Sequence, residues 1–158
     1  MSFLSFLKQK FSFLNNKDLK SMQYENIYNF DYLHSMIKNL FPNLDDKLLI
    51  TNASYACPNP LWLEKKFFPN FKAYLKKYDL DDWSLTNKCD DFALRFLTRI
   101  RHSHKIASEK NPIKDINSKV VQGIACAMVC YYKNGVKSPT SGHGINAIFL
   151  PNGGIKFI

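Results

Sequence analysis

The sequence has no apolar run approaching the ~20 residues that a bilayer-spanning helix needs, which excludes such a helix from these 158 residues. It begins Met-Ser-Phe-Leu, with neither a basic leader nor a small-residue cleavage site, so no secretory signal is expected. Its four cysteines (Cys57, Cys89, Cys126 and Cys130) form no Cys-x-x-Cys pair. Free thiols in a reducing cytoplasm are therefore the expectation. Arginine is scarce: Arg95, Arg99 and Arg101 are the only ones among 22 Lys and Arg. The net charge of +9 is thus mostly lysine, and with many Asn it matches an A/T-rich coding bias. Charge of that origin is weak evidence for nucleic acid, which is not expected as a partner. It does allow attraction to polyanions or an anionic membrane, screened by salt. Only two aromatics are Trp, yet Phe and Tyr bring the aromatic share to 15% and apolar residues reach 46%. That excludes a wholly disordered chain. No internal repeat and no low-complexity tract is present.

Residues 1–20 read as an amphipathic basic arm. Phe3, Leu4, Leu7, Phe11 and Leu14 recur at helical spacing, with Lys8, Lys10, Lys17 and Lys20 mostly off that face. Such a helix either packs on its own domain or lies on an anionic membrane surface, peripheral to it. A second helical pattern lies within residues 21–50 (Tyr28, Tyr32, Leu33, Met36, Ile37, Leu40) and stops at Phe41-Pro42. Asn43 or Asp45 is placed to cap a short segment through Ile50. Residues 51–62 are turn-rich, with Pro58 and Pro60. A third helix is predicted over 61–78, interrupted or kinked at Pro69. After a loop at 79–91 comes a clean helix at 88–104, then a polar loop at 105–118. The apolar run 119–132 reads as a central strand covered on both faces. Asn134-Gly135 signals a turn. Strands are predicted at 143–150 and 155–158, joined by Pro151-Asn152-Gly153-Gly154. Helices first and a strand meander afterwards predict an α+β fold, with N-terminal helices packed on a C-terminal antiparallel sheet and residues 21–158 forming one domain.

The 88–104 helix carries an apolar stripe of Phe92, Ala93, Phe96, Leu97 and Ile100, and Cys89 falls on that stripe in the first turn. Thr86 or Asn87 is placed as its N-cap. A thiol there faces the positive end of the helix and its free N–H groups, which favours thiolate. The same N–H groups suit the oxyanion of a tetrahedral intermediate. Asp90 and Asp91 oppose the negative charge. The plain structural alternative is a small Cys closing the core face.

A nucleophilic Cys needs a base, normally His. His34 sits in a helical pattern and reads as structural. His102 is thirteen positions from Cys89, about 20 Å along a helix, too far to act as its base. His102 reads as a complement to the helix C-terminus; with His104 it forms a His-x-His pair that lacks a third ligand nearby, so neither a metal nor a cofactor is expected. His143 opens a strand between Gly142 and Gly144 and shares a strand face with Ile145, Ala147 and Phe149. If the Cys89 helix crosses that face, thiol and imidazole meet at one end of the sheet. Cys126 and Cys130, four apart on one strand face, read as core. Cys57 reads as a loop thiol. Trp62, Trp83 and Tyr55 are candidates to wall a cleft beside Cys89, or else core.

A Cys at a helix start (NKCDDFALRF), then a His at a strand start (GHGINAIFL), then a tight turn and a further strand, resembles the papain-like cysteine peptidase superfamily. It is also similar to transglutaminase-like members and to small papain-fold domains of bacterial and phage proteins. The resemblance covers residues 83–158. It implies a papain-like core, a nucleophile at Cys89, a base at His143 and a peptide or protein substrate. In such families a polar residue on the next strand orients the His. Here that strand is Ile155-Lys156-Phe157-Ile158, and Asn146 falls on the opposite strand face from His143. A chain truncated at the C-terminus, a dyad without an orienter and an inactive site are the three expectations this leaves. Trp83 stands near where the family's oxyanion-hole Gln is expected, so Asn87 or backbone N–H groups are the oxyanion candidates.

Three functions follow. The first is a cysteine hydrolase or acyl transferase acting on an amide or peptide bond. The second is a catalytically inactive binding module on the same scaffold. The third is a basic binder of nucleic acid or membrane surface through the arm and the Arg95, Arg99, Arg101 edge.

Overall fold

The computed structural model of the chain describes residues 22–42, 52–82, 88–132 and 142–158. The arm at 1–20, the segment through Ile50, Trp83, Asn87 and the Asn134-Gly135 turn lie outside the described residues.

Strand β1 (Tyr24–Asn29) leads directly into helix α1 (Phe30–Leu40). The junction is Asn29, whose side-chain oxygen accepts the Tyr32 N–H at 2.8 Å and caps the helix. One continuous helical pattern from Tyr28 to Leu40 is therefore a misreading. Tyr28 belongs to a strand because β1 pairs antiparallel with β2 (Ser54–Pro58), and a pairing partner overrides local periodicity. Every residue of β2 is buried, which corrects the turn-rich reading of 51–62. β2 lies between β1 and the parallel β3 (Gly123–Ile124), so neither of its edges meets water.

Asn59 caps the next helix through the Trp62 N–H at 3.0 Å. Helix α2 (Pro60–Trp62), a π-helical turn (Leu63–Phe67) and α3 (Phe68–Lys77) run on without a break. Pro69 does not interrupt them. The wide turn just before it, closed by Phe68 N–H to the Leu63 carbonyl, accommodates a residue that has no N–H to give and a ring that crowds the preceding turn.

Helix α4 (Cys89–Lys110) ends six residues beyond the end its sequence pattern predicts. Its buried stripe continues past Ile100 through Ser103, His104 and Ala107; the polar residues there are core residues, which periodicity of apolar types misses. It ends at Asn111, before Pro112.

The run 119–132 is one chain segment serving two sheets. β3 completes the order β1-β2-β3, and β4 (Cys126–Tyr132) begins the antiparallel order β4-β5-β6, with β5 at Gly142–Phe149 and β6 at Ile155–Phe157. Ala125 joins them: its N–H donates to Ala56 O and its C=O accepts from Phe149 N–H, both at 2.9 Å. The layer is covered on both faces over Gly123–Cys126, but the ends of the apolar run, Lys119 and Val120 at one and Cys130 and Tyr131 at the other, are exposed, which corrects the reading of 119–132 as covered throughout. Ile124, Cys126 and Ile148 pack on one side with Phe96, Leu97 and Ile100 of α4 and with Phe67 and Phe71. Ala125, Ala147 and Phe149 pack on the other with Leu33 and Ile37 of α1. The fold is α+β, with two corrections. Two strands precede most of the helices, and the β2/β3 pair is parallel. No helix among the described residues is long and apolar enough to cross a membrane.

Candidate active site

Lys88 has extended backbone and caps α4. Its N–H is held by Asp91 Oδ2 at 3.0 Å. This displaces the cap from the expected Thr86 or Asn87 and places Cys89 as the first helical residue. Asp91 sits in the first turn, where a carboxylate suits the helix dipole.

Alternation along β5 sends Gly144, Asn146 and Ile148 toward α4 and His143, Ala147 and Phe149 toward α1. Helix α4 therefore crosses the face opposite the one that would bring thiol and imidazole together by simple layering. They meet by another route. Asn146 exchanges both backbone hydrogen bonds with Ile158, at 2.8 and 2.9 Å. Two residues earlier, the Gly144 N–H and the Gly142 carbonyl face the same edge of β5. Cys89 occupies that edge. Its Sγ accepts the Gly144 N–H at 3.3 Å and lies 3.9 Å from Gly142 O. His143 Nδ1 is 3.8 Å from the sulfur. The approach depends on a missing side chain: a Cβ on Gly144 would stand 2.8 Å from Asp90 Cα.

The thiol thus has two acceptors at similar range, the Gly142 carbonyl and the His143 ring nitrogen. With Nδ1 unprotonated, the imidazole is an acceptor beside the thiol, while the Gly144 N–H supplies the sulfur with a donor. Cys89 and His143 are both half-buried, so the pair is shielded without being sealed. The ring of Tyr131, the direct cross-strand partner of His143, packs beside the imidazole in a tilted arrangement, with centroids 5.5 Å apart and planes at 32°. Sequence reasoning missed Tyr131, because only the β4/β5 register places it there.

Other candidates separate from this pair. Asn146 is buried, faces α4, and its Oδ1 has no hydrogen-bond partner; it does not orient His143. Lys156 of β6 pairs with Glu64 at 3.0 Å and holds that carboxyl below the usual range. His34 is stacked on Phe30. His102 does not complement a helix C-terminus, because α4 runs on to Lys110. His104 likewise lies inside the helix. It is buried mid-helix with Nδ1 2.9 Å from Tyr24 Oη, and burial pushes its pKa below the ordinary histidine value. The same burial raises the Tyr24 phenol to about 12. Cys57 is not a loop thiol but a buried strand residue, pushed up to about 12. Cys126 is buried and likewise raised to about 12. Cys130, expected in the core, is exposed, since α4 covers only the β3-proximal part of the strand. Trp62 and Tyr55 are buried in separate core clusters rather than flanking Cys89. Arg99 is half-buried over the Tyr74 ring at 3.9 Å and bonded to Asn70, so it is not part of a solvated basic edge. No group of three or more His, Cys, Asp or Glu suited to a metal lies together among the described residues.

Comparison of the chain with protein-family models, curated proteins and solved structures finds no match.

Proposed function

We propose that the protein is a cysteine hydrolase or acyl transferase with a papain-like core, acting on an amide or peptide bond of a peptide or protein. The observation that carries this reading is the 3.8 Å approach of His143 Nδ1 to Cys89 Sγ at the start of a helix. Cys89 loses its proton to Nδ1, and the sulfur attacks the substrate carbonyl. The resulting tetrahedral oxyanion lies near the free N–H groups of the first turn of α4. The C–N bond breaks as the imidazolium gives its proton to the departing amine, leaving a thioester. Water, or an acceptor amine, then gives its proton to His143 and takes the acyl group, and the thiol is restored.

The test is the rate at which iodoacetamide alkylates each cysteine, read by mass spectrometry. Exposed Cys130 is an internal reference, and Cys57 and Cys126 are shielded by burial. Cys89 should react fastest, and His143→Ala should slow it by about 10²-fold. Reaction of Cys89 no faster than Cys130 would overturn the hydrolase reading and leave the binding module.

A further inference from the structure

Resting on the proposed dyad, we infer that Tyr131 is the positioning residue for His143. Its ring does by packing beside the imidazole what a hydrogen-bonding side chain would otherwise do. An imidazole with no orienting partner turns freely about χ2 and presents Nδ1 to the sulfur only part of the time. Among the described residues, no carboxylate or amide side chain hydrogen-bonds the His143 ring. Among the described residues, the aromatic ring packed beside it is that of Tyr131, directly opposite in the β4/β5 register, with ring centroids 5.5 Å apart and planes 32° from parallel. That tilted ring packing restricts the imidazole plane while leaving its edge, and so Nδ1, directed at Cys89. It also places the electron-rich face of a phenol beside a ring that becomes cationic when it takes the thiol proton. Tyr131 remains 45% exposed. Its ring is therefore retained on the strand surface beside His143, rather than buried as filler for either core cluster.

The inference separates the ring from the hydroxyl. The aromatic ring is shared by Tyr and Phe, whereas an aliphatic residue fills the same strand position without it. The experiment measures iodoacetamide alkylation of Cys89 from pH 6 to 9 in the full chain and in Tyr131→Phe, Tyr131→Leu, Tyr131→Ala and His143→Ala, with the melting temperature of each as a check on folding. Tyr131→Phe should stay within about twofold of the parent. Tyr131→Leu and Tyr131→Ala should lose about tenfold, the scale expected when a reacting group is slightly misplaced, and their pH profiles should move toward that of His143→Ala. Parent-like rates and profiles in Tyr131→Leu and Tyr131→Ala, with His143→Ala still slow, would overturn the positioning role and leave the dyad standing. An unchanged rate in His143→Ala would overturn the dyad itself, and the role of Tyr131 with it.

Discussion

Gly144 and Asp90 approach so closely that a single methyl group on the glycine would come within 2.8 Å of the aspartate Cα. The contact fixes how near the first turn of α4 can come to β5, and hence whether Cys89 Sγ reaches the Gly144 N–H and the His143 ring.

Gly144→Ala should therefore separate the pair. The obstacle is helix backbone rather than a flexible side-chain end, so α4 must shift. The expected cost is about 1–3 kcal/mol of stability, with Cys89 alkylation falling at least about tenfold. An unaltered alkylation rate at unaltered stability would show that the close approach is not what holds thiol and imidazole together.

His104 sets a pH dependence of stability. Burial lowers its folded-state pKa below the ordinary value near 6.5, so the unfolded chain binds the proton more readily. Its contribution to stability is complete above pH ~6.5, falls as pH drops toward the folded pKa, and levels off below it. The drop in urea midpoint between pH 7.5 and 5.5 should be larger in the parent than in His104→Phe. Equal drops would refute the assignment.

Two thiols should be silent in the folded chain. Cys57 and Cys126 are buried, each with its pKa raised to about 12, while Cys89 and Cys130 are partly or fully exposed. A disulfide-exchange reagent at pH 8 should titrate these two natively and all four in guanidinium. Native reaction of Cys126 at the rate of Cys130 would contradict the burial of Cys126 under α4 and the exposure of Cys130 farther along β4.

The core beneath the site is aromatic. Phe67 touches the rings of Trp62, Phe68, Phe71 and Phe96 and is almost wholly buried. Phe67→Ala should cost about 3–5 kcal/mol, against under ~0.5 kcal/mol for exposed Leu94→Ala. Urea unfolding decides it, and a Phe67→Ala loss below 1 kcal/mol would remove this cluster as the main support of α4.

Local order made part of this legible before any coordinates. The stripe from Phe92 to Ile100 repeats every 3.6 residues, and the hairpin turn at Pro151–Gly154 announces itself by residue type, since helix period and turn chemistry act over a few residues. β1 and β2 did not, because Tyr28 reads equally well on a helix, and Pro58 and Pro60 read as turn. What made them strands was pairing, which neither segment encodes alone. His104 and Ser103 hid the last turns of α4, because buried polar residues break an apolar pattern that continues in space.

The amino-acid order alone marked Cys89 at a helix start and His143 at a strand start, because both positions are set by short-range backbone preferences. Their separation of 3.8 Å, the edge rather than the face on which they meet, and the ring of Tyr131 beside His143 were decided by the tertiary structure. Each depends on strand register and on a helix docking against a glycine 54 residues or more along the chain, and no local propensity reaches that far.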